Sequence, residues 1–127
     1  MFSIFNIFKR LARERKNGPW SIEVSSSEAV LLKHGRRVDS IYWRDVDAIT
    51  AYKADQFTWD PIVVVLWHDD KGVPFEELWP GYEGVFNKIH ELWPQIDQGW
   101  ITRVNKGAFV PNPEVLWQRD KTALESR

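Results

Sequence analysis

The chain has 127 residues, 43% hydrophobic and 28% charged, with eight Trp, seven Phe, three Tyr and no Cys, at a formal net charge of −1. That length suits one domain with one core, and the lack of Cys excludes disulfides, thiolate metal sites and a cysteine nucleophile while fitting a reducing compartment. The charge is uneven. Lys9, Arg10, Arg13, Arg15 and Lys16 against Glu14 give residues 1–16 a balance of +4, so the rest carries −5; such an acidic body lacks the basic face nucleic acid requires, and no nucleic-acid partner is expected.

The first segment is apolar before it is basic: Phe2, Ile4, Phe5, Ile7 and Phe8 precede Lys9 and Arg10. A secretory signal has the reverse order, and the run is too short to span a bilayer. Ile4, Phe8 and Leu11, with Phe5 and Ala12, share one helical face, and the basic residues collect at the end that favours positive charge. Residues 2–16 therefore read as an amphipathic helix, stopped by Asn17, Gly18 and Pro19, which divides the chain into that helix over 1–17 and a single α+β domain over 18–127 with a fraying tail. Phe2, Phe5, Phe8, Lys9, Arg10 and Arg13 are its candidate contacts, for its own domain, a second copy, a partner or an anionic membrane surface.

From Trp20 the period shortens to that of strands. Trp20, Ile22 and Val24 alternate with Ser21 and Glu23, Ser25–Ser27 make a turn, and 29–33 and 37–43 form the arms of a hairpin around His34, Gly35 and Arg36. A short connection or helical turn at 44–46 leads to a strand over 48–54 and a loop holding Phe57 and Trp59. The β-branched run 62–67 suits a strand buried on both faces at the sheet centre. The turn at Asp69–Gly72 returns 73–79 antiparallel to it, and Pro74, with no N–H to donate, places that partner at an edge or bulge.

After Pro80 and Gly81, residues 82–93 gather Tyr82, Val85, Phe86, Ile89, Leu92 and Trp93 on one helical face, and Pro94 ends the helix. Asn112 and Pro113 have the order of a cap and first residue for a short second helix through Val115, Leu116 and Trp117. About six antiparallel strands followed by a packing helix is the order of a pleckstrin-homology-like split barrel, and a curved open sheet with a helix on one face fits the same pattern.

Over residues 20–118 the chain also resembles a family of small bacterial proteins of unknown function. The stretches that carry the likeness are Trp43, Asp45, Val46, Ile49, Ala51, Lys53, Asp55 and Asp60, then Glu76, Glu77 and Gly81, then Pro94, Trp100, Ala108, Phe109, Asn112, Leu116 and Trp117. The resemblance implies a shared domain and no catalytic residues.

For polar chemistry the candidates are Asp55, Asp60, Glu76 and Glu77. Strand alternation sends Glu76 and Glu77 to opposite faces, so one of them can join the aspartates; such a set could hold a divalent cation or perform acid/base hydrolysis, or consist of solvated acids with one Glu paired to Lys53 or Arg44. His34, His68 and His90 fall in separate elements without ligand spacing, so no metal or cofactor is expected. Nucleophile-elbow and phosphate-loop motifs are missing. Phe57 and Trp59, with Trp79, Tyr82 and Trp100, offer either a contact surface or closure of the core. The expected function is a non-enzymatic binding or regulatory module that meets a protein partner through aromatic and acidic loop surface. Self-association or peripheral attachment to the inner face of the membrane through 2–16 is the alternative, and a small hydrolase using the carboxylates the weaker one. A cytoplasmic location is expected in each case.

Overall fold

In a computed structural model the described residues are 19–54, 61–106 and 113–119. The expected helix over 2–16, the aromatic and acidic side chains of 55–60, the Asn112 cap and the tail beyond 119 lie outside them. Within them the chain is α+β: β1 (Trp20–Val24), β2 (Glu28–Lys33) and β3 (Arg36–Tyr42) form one antiparallel sheet. A 3-10 turn at Trp43–Asp45 passes the chain to a second sheet containing β4 (Ala48–Lys53), β5 (Ile62–His68), β6 (Lys71–Glu76) and, at the far edge, β7 (Glu114–Gln118), in the order β6-β5-β4-β7. Helices α1 (Tyr82–Leu92) and α2 (Trp100–Lys106) lie between β6 and β7 in sequence.

The expectation of about six strands in one curved sheet or split barrel is corrected to seven strands in two sheets, with no ladder closing them into a barrel among the described residues. The two sheets share one core. Ile22, Ala29, Leu31 and Ile41 from the first sheet belong to the same apolar cluster as Ile49, Val63, Val65 and Phe75 from the second. Where the sheets meet, Lys71 Nζ lies 2.9 Å from Asp39 Oδ1, tying the start of β6 to β3.

Strand β5 occupies the interior position that its unbroken apolar run predicts: Val63 to Trp67 are all buried, between β4 and β6. Pro74 sits in β6, whose outer side has no ladder partner among the described residues, which suits a residue without an N–H. The Trp67 indole N–H donates to Thr50 Oγ1 at 2.9 Å, one diagonal step across the β4–β5 ladder. Gly72, opposite Trp67 in the β5–β6 register, leaves room for that ring: a Cβ there would stand 2.8 Å from it.

The short helix expected over 113–117 is instead β7. Three apolar residues are too few to distinguish helical from strand period, and the open edge of β4 decides between them: Ile49 pairs with Trp117 and Thr50 with Val115 across a bulge. Helix α1 follows its predicted stripe, burying Val85 and Ile89, and it packs against β1. Its entry is set by Gly81, at φ 97°, beside Pro80, whose carbonyl accepts the Ile22 N–H at 2.8 Å.

Candidate functional site

Trp20, Trp67, Trp79 and Trp100 are buried, and Trp20 stacks on Trp79 at 5.1 Å between ring centroids. Trp100 donates its indole N–H to His90 Nε2 at 3.2 Å, while His90 Nδ1 lies 2.7 Å from the Phe86 carbonyl. That pair of contacts requires the tautomer with the proton on Nδ1. Trp79 and Trp100, two of the aromatics considered for a contact surface, thus serve the interior; Tyr82 is half-buried beside Phe86, and burial, with the Glu77 charge adding to it, pushes its hydroxyl well up from the usual tyrosine range.

A second aromatic set joins the buried Trp43 to the half-buried Trp93 and Trp117. Trp43, Trp93 and Trp117 form a chain of ring contacts at 6.5 and 5.1 Å, joining the turn after β3, the end of α1 and the edge strand β7. On its outer side is a groove of about 580 Å³, bounded by Ser26 and Ser27, by Tyr42, Trp43 and Arg44, and by Leu92 and Trp93. That volume lies in the range of pockets that hold a drug-sized ligand or a few side chains, roughly 300–1,000 Å³.

The groove follows from local structure. Ser25 Oγ accepts the N–H groups of Ser27 and Glu28, which tightens the β1–β2 turn. The turn then holds Trp43 twice: its indole N–H donates to the Ser25 carbonyl at 3.0 Å and its backbone N–H to the Ser27 carbonyl at 3.0 Å. Trp43 is thereby a fixed, buried floor, whereas Tyr42 (45% exposed) and Leu92 (41% exposed) stand at the rim. The Trp93 N–H closes the last turn of α1 on the Ile89 carbonyl, which sets the opposite wall. Arg44, whose side chain is 81% exposed, lies over the Tyr42 ring at 5.2 Å, with Asp45 Oδ1 4.0 Å away. Two serines form one boundary, the other walls are largely apolar and aromatic, and the charge among the lining residues is a single cation.

Next to this groove along the chain is a polar clamp. Asp47 precedes β4 and His68 ends β5, so the register that pairs Ala48 with Trp67 sets them side by side. Asp47 Oδ2 accepts the Asp69 N–H at 2.6 Å and lies 3.2 Å from His68 Nδ1, and Oδ1 is 3.3 Å from Arg119 Nε. Burial alone would raise the Asp47 carboxyl. The Asp69 N–H, the His68 ring and the Arg119 guanidinium outweigh it and hold the group below the usual carboxylate range. Arg119 also donates to the Val46 carbonyl at 2.9 Å, fastening the end of β7. Asp47, His68 and Asp69 bring potential metal-ligand atoms within 4.8 Å of one another, but both Asp47 oxygens are already engaged in joining three strand ends.

Of the carboxylates singled out in the sequence, Glu76 and Glu77 lie among the described residues. Glu76 is buried in the sheet, whereas Glu77 is exposed and its Oε1 accepts the Ile62 N–H at 2.8 Å. Lys53 reaches the Asn105 carbonyl at 3.5 Å and Arg44 lies on Tyr42. Asp55, Phe57, Trp59 and Asp60, like Phe2, Phe5, Phe8, Lys9, Arg10 and Arg13, are outside the described residues. Sequence reading missed the groove because its walls come from three separated stretches. The adjacent Tyr42-Trp43-Arg44, aromatic and cationic at the end of a strand, was the available signal.

No helix among the described residues is long and apolar enough to cross a membrane. The chain matches no family model, no curated protein and no solved structure in the comparisons made.

Proposed function

We propose that this chain is a non-enzymatic binding module that recognises a protein partner through the groove between Tyr42 and Leu92. The observation that carries the proposal is the pairing of an immobilised aromatic floor with exposed apolar rims: Trp43 is held by two hydrogen bonds, and Tyr42 and Leu92 stay open to solvent above it. Large side chains left exposed around a fixed cleft are characteristic of contact surfaces, where aromatic residues contribute most of the energy. A preformed floor also reduces the ordering cost of binding. The loop residues Asp55, Phe57, Trp59 and Asp60 form a second part of the contact surface in this proposal.

In the same proposal the two sheets and α1 are an opened relative of the pleckstrin-homology-like arrangement. The functional reading rests on the groove, since folds of one architecture serve many functions. Differential capture tests it. Immobilised wild type should retain a protein that an equally stable Tyr42→Ser/Leu92→Ser variant loses. Equal retention by both would reject the groove as the binding surface.

A further inference from the structure

We infer that the groove takes an acidic segment of a partner protein, one that places a large apolar or aromatic side chain within a residue or two of a carboxylate. This inference rests on the binding-module reading above and specifies the partner's chemistry. The groove offers two kinds of contact side by side. Tyr42, Trp43, Leu92 and Trp93 supply apolar surface from two sides, with room for a bulky side chain. Arg44 supplies the charge at its rim.

The placement of Arg44 carries the argument. Its guanidinium lies over the Tyr42 ring at 5.2 Å from the centroid, and a guanidinium at an exposed rim can receive a carboxylate on two parallel hydrogen bonds. Its neighbour Asp45 is 4.0 Å from Nε, at the limit of an ion pair, and the side chain is 81% exposed. Three other arginines are more closely engaged: Arg37 pairs with Glu28, Arg103 with Asp97 and Glu114, and Arg119 with Asp47. A basic segment, including the run Lys9 to Lys16 of this chain, would bring like charge to Arg44. An acidic one would complement it.

The test uses the full chain and fluorescently labelled octapeptides, each with one tryptophan and one leucine flanked by glutamates, by lysines or by serines. Anisotropy titrations should show the glutamate peptide binding about tenfold tighter than the lysine peptide, the size expected for exchanging one attractive rim pair for a repulsive one. Arg44→Glu should reverse that order, Arg44→Gln should abolish it, and Tyr42→Ser should weaken all three peptides together. Thermal unfolding of each variant confirms that the exposed substitutions leave the fold intact. Equal binding of glutamate and lysine peptides overturns the inference and leaves the groove a binding site of another specificity. Preference for the lysine peptide, or groove-dependent self-association in sedimentation, also overturns it, the latter by making a second copy the occupant. If no peptide binds while differential capture through Tyr42 and Leu92 succeeds, this chemistry is wrong and the binding module stands.

Discussion

Asp47 commits both carboxylate oxygens to structure: one to the Asp69 N–H and the His68 ring, the other to Arg119. Since its folded-state carboxyl is held below the ordinary value of 3.8, it contributes stability above that pH. The contribution is lost as pH falls through the lower folded value. Urea unfolding of the wild type should therefore weaken more steeply below about pH 4 than that of Asp47→Asn. Near neutral pH the variant should be less stable by about 1 kcal/mol, a modest figure because the carboxyl is partly exposed; parallel acid limbs for the two proteins would contradict the clamp. In contrast, Tyr42→Ser and Leu92→Ser remove exposed groups and should each cost less than about 1 kcal/mol, measured the same way. Of these residues, His68 directly follows the apolar run 62–67 in the sequence, but nothing there pairs it with Asp47. That pairing depends on the β4–β5 register, which the intervening loop leaves open.

The elements that sequence reading placed well are those whose period extends over several residues. The stripe of α1 and the unbroken β5 are of this kind, as are the arms of the β2–β3 hairpin, where His34 and Gly35 both adopt positive φ. Strand β7 was misplaced because Pro113 and a triplet of apolar residues fit a helix start as readily as an edge strand. Only the neighbouring β4 distinguishes the two. Backbone Cα and Cβ chemical shifts at 114–118 should be strand-like, and helical shifts there would remove β7. The connection between α1 and β1 depends on Gly81, where a Cβ would come within 2.0 Å of the Ile22 carbonyl oxygen at a φ of 97°. Gly81→Ala should cost about 3 kcal/mol in urea unfolding; a loss below about 0.5 kcal/mol would show that this close approach is not made.

At the scale of the whole molecule, the α+β class follows from the order of periods, but the division into two sheets does not. Each strand shows which of its residues can be buried, whereas the sheet it joins depends on contacts between residues far apart in the chain. One apolar cluster spans both sheets, so they should unfold together. Near-ultraviolet circular dichroism, sensitive to the packed tryptophans, and far-ultraviolet signals from the backbone should give coincident urea transitions; separated midpoints would indicate that the sheets are independent. The same long-range assembly explains why the groove was not legible. Its floor at Trp43 comes from the turn after β3, its wall at Trp93 from the end of α1, and its support at Trp117 from β7, which the sequence suggested was helical.

The central claim is that this assembled groove is the working surface of the protein. Its most direct test is the two-dimensional nitrogen-15 NMR spectrum of the labelled full chain, titrated with the glutamate-flanked tryptophan and leucine peptide. The account predicts saturable shifts of the indole N–H signals of Trp43 and Trp93 and of the backbone signals of Arg44 and Leu92. The buried Trp67 indole, bonded to Thr50, should stay in place. Saturable shifts confined to residues around Asp47 and His68, or a spectrum unchanged at millimolar peptide, would contradict it.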